Sequence, residues 1–546
     1  MNIDKDLLSI QEARDLSRKA KEAQLEFKHF SQEQVDRIVK AMADAGFAQA
    51  ERLAKMASEE SGFGKWQDKV IKNQFATKNV WDSIKDLKTC GVIESLHGGK
   101  VLKIAEPMGV VAALVPSTNP TSTAMFKAII SLKCRNAIVA SPHPRTVNCT
   151  VDALRVLSDA AESAGAPKGL IHCMTAPTIE GTDALMHDKN IGVILATGST
   201  PMVRAAYSSG KPAYGVGSGN VPAFIERTAN VKKAVRDIVY GTTFDNGTLC
   251  SSEQAMVVDR PVKDQVIQEA KAAGCYFVNA EEKKKLAAAI LTKGRINPEI
   301  VGQPAVWIAT YAGFSVPETT KVLVAECDEV GRSEPLSYEK LSPIVAFYTV
   351  DGWLEGCHKC IDLLQFGGVG HTMAIHSNDK DIIMKFALEK PAFRIICNTV
   401  SAIGAVGYTT ALLPSLTLGP GTWGGSIVSE NVSAKHLMNI KYLAFETNPV
   451  NPGSAVGGLD AGGLNTGGFG ATTAGAQSYI NEIEERLRAR AGNPVINEPF
   501  SGNLTEKAAQ KSAEKKGKSE SAGGTEPGQK TLSSAEIQKI IDEFKF

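Results

Sequence analysis

Short runs of continuous apolar residues, spaced by helix-like segments, constrain the fold of this chain more than any other sequence feature. The runs lie at 110–115, 137–140, 193–196, 223–225, 321–325, 344–348, 372–375 and 395–397. Between these runs, segments such as 151–164 and 231–240 show helical periodicity. Strands that are apolar throughout are typical of parallel sheets covered by helices on both faces. The pattern predicts an α/β protein with two such units, the second running from about residue 255 to 427.

The first ninety residues are predicted to be helical. Between residues 32 and 48, Val35, Ile38, Val39 and Met42 fall at helical spacing, and Ser31 precedes them as a predicted N-cap. We therefore expect a helical region before the first strand.

Charge and hydropathy exclude several classes of protein. Lys and Arg total 60 against 59 Asp and Glu, a formal charge of +1 over 546 residues. This balance provides no bulk attraction to nucleic acid or anionic membranes. No apolar run approaches the ~18 residues of a membrane-spanning helix, and the charged N-terminal segment lacks the apolar core of a signal peptide. We expect a cytoplasmic protein with no nucleic-acid or membrane partner, whose cysteines are free thiols.

Beyond residue 450 the composition changes. Residues 451–477 predict a Gly-rich linker, 478–492 a short helix and 493–530 a disordered polar tether. In the last segment, 531–546, four apolar residues at i, i+3, i+4 and i+7 form one stripe: Ile537, Ile540, Ile541 and Phe544. An amphipathic helix on a flexible tether is typical of a docking element. The alternative is that it packs on its own domain.

Ten cysteines are candidate nucleophiles, and their context separates them. Cys134 and Cys397 lie in apolar stretches and are predicted to be inert core thiols. Cys357 and Cys360 form one C-x-x-C without a second pair, which predicts helical neighbours on an ordinary surface and no metal site. Cys250 instead follows a turn-rich stretch between a helix and a strand, where a thiol can reach a ligand.

The segment around Cys250, FDNGTLCSSEQ at 244–254, resembles the nucleophile loop of the aldehyde dehydrogenase superfamily, in particular its coenzyme A-acylating branch. Seven further segments resemble this branch in family order: VPSTNPTST (115–123), SPHPR (141–145), LATGSTPMV (195–203), YSSGKPAYGVGSGNVP (207–222), EKLSP (339–343), GGVGHT (367–372) and PSLTLGPGTWGG (414–425). The resemblance covers nearly all of residues 5–445. Within the branch, the sequence clearly resembles the N-terminal half of bifunctional aldehyde–alcohol dehydrogenases. No segment of these 546 residues resembles the iron-dependent alcohol dehydrogenase half of those enzymes.

This resemblance implies the aldehyde dehydrogenase fold. Its parts would be a Rossmann-like, mainly NAD-binding domain over 1–240, an α/β catalytic domain over 241–430 and a small returning oligomerisation segment over 431–450. It also implies a homo-oligomer, either a dimer or a tetramer.

The chemistry that the resemblance implies is reversible NAD-dependent oxidation of a short-chain aldehyde to its acyl-CoA. Cys250 would attack the aldehyde and carry the acyl group as a thioester. Asn119 and the Cys250 backbone N–H would bind the oxyanion. His371 would transfer a proton, and the alternative is a structural histidine at the start of a strand. Acetaldehyde is favoured, with propionaldehyde and sulfoacetaldehyde as alternatives.

The cofactor residues are also implied by the resemblance. A Thr-Gly-Ser turn between a strand and a helix suits a pyrophosphate, and a glutamate suits the nicotinamide ribose. The residues are Thr197, Gly198, Ser199, Gly217 and Glu339, with Ser141 and His143 in place of the family's adenosine-ribose lysine. That replacement leaves NAD and NADP both open.

One departure from hydrolytic relatives favours coenzyme A over water as the acyl acceptor. Those enzymes carry a glutamate base in an E-L-G-G-K element, and residues 215–219 here place Gly215 at that position. A hydrolytic enzyme and a scaffold protein with a vestigial site are the alternatives. The terminal stripe at 531–546 further resembles the short helices by which enzymes associate with shell or core proteins of bacterial microcompartments.

Overall fold

The computed structural model describes residues 4–448 and 450, and these form a mixed α/β fold. The helices are α1 (Lys5–Phe27), α2 (Gln32–Ala48), α3 (Ala50–Ser61), α4 (Trp66–Gln74), α5 (Val80–Ile84), α6 (Pro120–Lys133), α7 (Val147–Ser163), α8 (Ile179–His187), α9 (Thr200–Ser208), α10 (Val231–Thr243), α11 (Lys263–Ala272), α12 (Ala280–Ile290), α13 (Ala305–Tyr311), α14 (Gly352–Gly367), α15 (Lys380–Glu389) and α16 (Ser401–Gly404). The segments predicted over 451–477, 478–492, 493–530 and 531–546 lie outside the described residues.

The described strands build two parallel sheets, a smaller, three-stranded antiparallel sheet and a two-stranded antiparallel pair. They are β1 (Gly91–Leu96), β2 (Val101–Pro107), β3 (Val110–Val115), β4 (Ala137–Pro142), β5 (Ile171–Cys173), β6 (Ile191–Thr197), β7 (Ala213–Val216), β8 (Val221–Ile225), β9 (Glu253–Asp259), β10 (Cys275–Phe277), β11 (Leu291–Thr292), β12 (Arg295–Ile296), β13 (Val322–Glu326), β14 (Ile344–Val350), β15 (Gly370–His376), β16 (Ala392–Cys397) and β17 (Met438–Ala444). The first parallel sheet has the order β5-β4-β3-β6-β7, and the second has the order β10-β13-β14-β9-β8-β15-β16. The two-stranded pair consists of β11 and β12.

The apolar runs become strands because both faces of each parallel sheet are covered. Every residue of β3 is buried, and so is every residue of α6, the helix that follows it. The predicted helix over 32–48 is confirmed with its bounds, and Ser31 caps it in a reciprocal capping box with Gln34. The sequence therefore determined the layered α/β class through burial alone.

The change from one sheet to the other comes between β7 and β8, before the boundary predicted at residue 240. Strand β8 pairs with β9 and β15 in the second sheet, and α10 contacts α11 and β9. An apolar run indicates a buried strand but does not indicate which sheet the strand joins. The segment 221–243 therefore belongs with the second sheet.

The smaller sheet has the order β1-β2-β17 and is antiparallel. The predicted returning segment, 431–450, contains β17, which pairs with β2 in a register that sets Ile440 opposite Ala105. Most of β17 is exposed. The chain thus returns to its N-terminal region after completing the second sheet.

Two predictions about cysteines are wrong in part. Cys357 and Cys360 lie on one helix as predicted, but both are fully buried because that face of α14 packs on the second sheet. Cys397 is exposed rather than buried, because it ends the edge strand β16 on the face that alternates outward. Among the described residues, no cluster of His, Cys, Asp or Glu could hold a metal ion. No helix within 4–448 is long and apolar enough to cross a membrane.

Candidate functional site

The candidate site lies where the carboxyl end of the first sheet meets the amino end of the second. Asn119 follows β3, and Cys250 precedes β9. The side-chain amide of Asn119 donates to the Thr248 carbonyl oxygen at 3.2 Å. Loops from the two sheets therefore meet at the candidate site.

The nucleophile loop owes its shape to a run of left-handed residues. Asp245, Asn246 and Gly247 have φ of +49°, +51° and +75°. Asp and Asn tolerate this region better than other side chains, because their short polar groups bond locally. The Asp245 carboxylate, fully buried, is held by the ammonium groups of Lys69 at 2.8 Å and of Lys72. This turn leads the chain from α10 into the position from which Cys250 faces His371.

The Cys250 sulfur contacts the imidazole of His371, with Sγ and Nε2 3.2 Å apart. His371 lies at the start of β15 and is fully buried. Its Nδ1 is 2.9 Å from Thr372 Oγ1. Burial, together with the Arg394 guanidinium, lowers the pKa of His371 to about 3. The imidazole is therefore neutral at neutral pH and can accept a proton.

The thiol of Cys250 is protonated in the resting site. Burial and the nearby Glu339 carboxylate raise the pKa of Cys250 to about 12, while the charges of Arg394 and Lys72 oppose this shift. Arg394 is itself buried and donates to the Gly419 carbonyl oxygen at 2.6 Å and to Thr372 Oγ1 at 3.3 Å. A buried guanidinium beside the sulfur stabilises the thiolate when it forms.

Glu339 and Gly219 frame the nucleophile from the other side. Glu339 Oε1 accepts from the Gly219 backbone N–H at 3.0 Å. A Cβ on Gly219 would lie 2.2 Å from the Cys250 carbonyl oxygen, so this position accepts only glycine. Burial raises the pKa of Glu339 to about 8. The half-buried carboxyl group is therefore fixed against the loop that carries Gly219.

The Thr-Gly-Ser turn forms the start of a helix, as predicted. Thr197 ends β6, Gly198 donates its N–H to the Val216 carbonyl oxygen at 3.2 Å, and the exposed Ser199 is the N-cap of α9. A Cβ on Gly217 would lie 3.6 Å from Thr200 Oγ1, so the two segments lie side by side. An accessible helix N-terminus beside glycines suits a phosphate group.

The remaining two predicted cofactor residues lie apart from this turn. Ser141 is buried at the end of β4, and its hydroxyl lies 2.7 Å from Thr182 Oγ1 on α8, inside the fold. His143 follows β4 and is half-buried, with Nδ1 accepting from the Arg145 N–H at 3.1 Å. His143 thus lies at the carboxyl edge of the first sheet, whereas the Ser141 hydroxyl already has a partner.

Comparison with known proteins identifies the family. The aldehyde dehydrogenase family profile matches residues 7–279, and the chain is 46% identical over 441 residues to the bifunctional aldehyde-alcohol dehydrogenase AdhE of Escherichia coli. This chain belongs to the aldehyde dehydrogenase family. The AdhE match covers 80% of this chain and 50% of the relative, so the chain spans about half the length of that curated relative.

Solved structures of aldehyde dehydrogenases share the fold. An acetylating aldehyde dehydrogenase from Geobacillus thermoglucosidasius has a TM-score of 0.81 and 50% identity, covering 82% of this chain and 99% of its own. Rhodopseudomonas palustris propionaldehyde dehydrogenase, with bound CoA and an acylated cysteine, has a TM-score of 0.72 and 29% identity. The match covers 79% of this chain and 97% of that structure's chain. A propionaldehyde dehydrogenase from the Clostridium phytofermentans fucose utilisation bacterial microcompartment has a TM-score of 0.72 and 28% identity. The match covers 79% of this chain and 96% of that structure's chain.

Sequence reasoning missed four charged residues of this aldehyde dehydrogenase site: Lys69, Lys72, Asp245 and Arg394. The two lysines lie three residues apart on α4, a spacing that equally fits a solvent-facing helix surface. Arg394 carried a usable signal, because a charged residue in the middle of an apolar edge strand requires a buried partner. Only the fold shows that the two lysines meet Asp245 within the nucleophile loop and that the Arg394 charge acts on Cys250.

Proposed function

We propose that this chain is a CoA-acylating aldehyde dehydrogenase. It would convert a short-chain aldehyde, coenzyme A and NAD⁺ reversibly into acyl-CoA, NADH and a proton. The contact that carries the proposal joins Cys250 Sγ to His371 Nε2 at 3.2 Å, beside the Asn119 amide. The acylated cysteine and bound CoA of the Rhodopseudomonas palustris relative support it.

The acylation half-reaction begins at the thiol. With its proton on Nδ1, the His371 imidazole donates to Thr372 Oγ1 and presents the Nε2 lone pair to Cys250. The pKa values of about 12 for Cys250 and about 3 for His371 lie far apart. Proton transfer therefore accompanies attack on the carbonyl carbon rather than preceding it.

The attack places a negative charge on the former carbonyl oxygen. The Asn119 amide and the Cys250 backbone N–H are the donors proposed for that oxygen. When bound, NAD supplies the hydride acceptor that turns the thiohemiacetal into a thioester. His371 releases the proton it accepted, which is the proton product. The coenzyme A thiol then attacks the thioester carbon, and its proton passes through His371 to the leaving Cys250 sulfur as the acyl-CoA forms.

The residues present fit the dinucleotide. The exposed N-terminus of α9, with Thr197, Gly198 and Ser199 leading into it, would hold the pyrophosphate beside Gly217. Glu339 would accept from the nicotinamide ribose hydroxyls. His143 at the end of β4 would contact the adenosine side, and Ser141 would support it through packing.

Coenzyme A is favoured over water as the acyl acceptor because a glutamate base does not fit at Gly215. The φ of Gly215 lies outside the left-handed region, but an added Cβ would lie 2.5 Å from Val203 Cγ1 and 2.7 Å from the Tyr207 hydroxyl. Space, not backbone conformation, thus excludes the carboxylate that activates water in hydrolytic relatives. Acetaldehyde is the favoured substrate, with propionaldehyde and sulfoacetaldehyde as alternatives.

The test is CoA-dependent NADH formation by Cys250→Ala, with the exposed thiol variant Cys397→Ala as the matched control. Loss of the acyl-enzyme lowers turnover by roughly three orders of magnitude or more, whereas Cys397→Ala keeps wild-type activity. Retained activity in a folded Cys250→Ala variant contradicts the nucleophile. Sustained NADH formation by the wild type without coenzyme A indicates a hydrolytic enzyme instead. A panel of two- to four-carbon aldehydes identifies the substrate.

The proposal also includes two protein partners: further copies of this chain and a microcompartment protein. The sheet of β1, β2 and β17 would join copies of the chain into a homo-oligomer. The stripe of Ile537, Ile540, Ile541 and Phe544 would dock the enzyme on a microcompartment shell or core protein, consistent with the origin of the Clostridium phytofermentans relative.

Docking through the terminal segment is tested by fusing residues 501–546 to a fluorescent reporter and coexpressing candidate shell proteins. The native tail should direct the reporter into puncta, and the double variant Ile540→Asp/Ile541→Asp should leave it diffuse. Burial of a few apolar side chains contributes only several kcal/mol before ordering costs, so avidity in an oligomer strengthens the effect. Diffuse fluorescence with the native tail contradicts docking.

A further inference from the structure

Lys72 joins the two loops that form the candidate oxyanion site. It lies on α4 and is only 4% exposed. Its ammonium group donates to Asn119 Oδ1 at 2.5 Å, to Thr248 Oγ1 at 3.2 Å and to the Asp245 carboxylate. All three bonds end on residues of the loops around Cys250. A buried cation with this set of partners is placed to control the geometry of Asn119.

An ammonium group determines which way the Asn119 amide faces. A lysine has donors and no acceptor, so the side of the amide that faces Lys72 must be its carbonyl oxygen. The Nδ2 group is then held on the opposite side, where it donates to the Thr248 carbonyl oxygen at 3.2 Å and to Thr118 Oγ1 at 3.1 Å. Without Lys72, a half-turn of the amide would direct oxygen, not N–H, toward the nucleophile loop.

We propose that Lys72 is the positioning residue of the oxyanion site. It holds Oδ1 of Asn119 so that Nδ2 faces the nucleophile loop, and the substrate oxygen then replaces Thr118 Oγ1 as the acceptor of one of the two Nδ2–H bonds. The inference rests on the proposed function, because it assigns Lys72 a role through the Asn119 donor. A flipped amide would set a partially negative oxygen against the developing oxyanion, which raises the barrier to attack. The charge of Lys72 also polarises the amide and strengthens its N–H donors.

Lys69 provides a matched control within the same buried network. It is 3% exposed and, like Lys72, donates to the Asp245 carboxylate, at 2.8 Å. Its other bond goes to the Thr118 carbonyl oxygen at 3.2 Å rather than to the Asn119 amide. Removing either lysine leaves Asp245 with one cation. The two substitutions therefore disturb the buried charges similarly and differ in their effect on Asn119.

The first experiment compares Lys72→Met, Lys72→Gln and Lys69→Met in steady-state turnover with aldehyde, NAD and coenzyme A. Removing one oxyanion donor costs about 10²–10³ in kcat, so a misplaced donor in Lys72→Met should lower kcat by roughly 10- to 100-fold. KM for the aldehyde and the NAD dissociation constant should change little. Lys72→Gln keeps an N–H donor one bond shorter and should recover part of kcat, whereas Lys69→Met should lose less than Lys72→Met.

The second experiment is a double-mutant cycle with Asn119→Ala. If Lys72 acts through the amide, Lys72→Met should cause no further loss of kcat when Asn119 is already alanine. An equal loss in both backgrounds overturns the inference, and so does an equal effect of Lys69→Met and Lys72→Met. If Lys72→Met does not bind NAD, Lys72→Gln replaces it in the same cycle.

The two proposals fail in different ways. Wild-type activity in Asn119→Ala contradicts the oxyanion role of Asn119, and the role of Lys72 with it. Loss of activity in Asn119→Ala together with full activity in Lys72→Met overturns only the positioning role. Loss in both variants, without additivity, supports both.

Discussion

Around Cys250, different residues carry the positive charge and accept the proton: Arg394 is the cation, and His371 is the proton acceptor. Burial keeps the thiol protonated and the His371 imidazole neutral, so the resting site holds no thiolate–imidazolium pair. Arg394 contributes the fixed positive charge that a thiolate requires, and it is anchored by the Gly419 carbonyl oxygen. A resting thiol is less exposed to oxidation than a thiolate. The resting nucleophile is therefore a neutral thiol beside a neutral imidazole.

The protonated state of Cys250 predicts how its alkylation depends on pH. Because burial raises the pKa to about 12, the thiolate fraction should rise about tenfold per pH unit between pH 6 and 9. The Arg394→Met variant removes the opposing charge and should slow alkylation at every pH. Peptide mass spectrometry after iodoacetamide treatment measures Cys250 separately, with exposed Cys397 as the internal control. A rate that levels off near pH 7 contradicts the raised pKa.

Glu339 predicts a pH dependence of NAD binding. Burial raises the pKa of Glu339 to about 8, so the group is protonated below that pH and a carboxylate above it. Only the carboxylate can accept from both ribose hydroxyls, because its oxygens keep lone pairs beyond the one that accepts from the Gly219 N–H. The NAD dissociation constant should therefore fall between pH 7 and 9, measured by calorimetry. Glu339→Gln should bind more weakly and without this pH dependence; the same slope in the variant would assign it to another group.

At the scale of helices and strands, the sequence predicted what burial determines and missed what long-range pairing determines. The runs at 110–115 and 344–348 became β3 and β14, because strands buried on both faces must be apolar throughout. The strand at 221–225 was found, yet its membership in the second sheet depends on pairing with β15, about 150 residues later. The contacts of Lys72 could not be predicted for the same reason, since its partners lie on two loops distant in sequence.

The candidate site was predicted through the motifs of its loops rather than through its geometry. The turn at 197–199 and the loop at 244–254 gave Thr197 and Cys250 their roles by resemblance. The contact between Cys250 and His371 joins residues 121 positions apart, which no local pattern records. The obstruction at Gly215 by Val203 and Tyr207 was likewise invisible, because strand β7 and helix α9 meet only in the folded chain.

The loop between β7 and β8 provides a prediction about close packing. Gly219→Ala would place a Cβ 2.2 Å from the Cys250 carbonyl oxygen and 3.2 Å from His371 Nδ1. Since the first contact is with backbone, the nucleophile loop itself must shift, and kcat should fall by about 100-fold or more for a displacement near 1 Å. Ser208, the last residue of the neighbouring helix α9, is exposed, so Ser208→Ala should stay near wild-type kcat. Circular dichroism checks the fold, and full activity in Gly219→Ala contradicts the packing.

At the scale of the whole molecule, the last strand of the described residues pairs with one of the first. Strand β17 pairs with β2 more than 300 residues earlier, as the bond from Asn439 to Pro107 records. It leaves Ile440, Tyr442 and Leu443 at 37%, 60% and 45% exposure. β17 is an edge strand, with β2 on one side only. An exposed apolar edge strand promotes aggregation unless another strand or chain covers it.

A second copy of this chain is the occupant we predict for the free edge of β17. Placing charge on the apolar side chains should prevent docking, because burying an unpaired lysine costs several kcal/mol. The double variant Ile440→Lys/Tyr442→Lys should therefore lower the molar mass measured by size-exclusion chromatography with light scattering. Lys441→Ala, between them on the opposite face, should leave the mass unchanged.

The folded state of the variant distinguishes lost assembly from lost structure. The double variant should keep NAD binding and the circular dichroism of the wild type, since β17 lies in the smaller sheet and not in the two sheets that meet at the candidate site. A wild-type chain that is monomeric at micromolar concentration contradicts the prediction, as does a double variant that keeps the wild-type mass. The proposed docking of the terminal segment would gain from avidity, so dissociation should also weaken recruitment of the full chain to shell proteins.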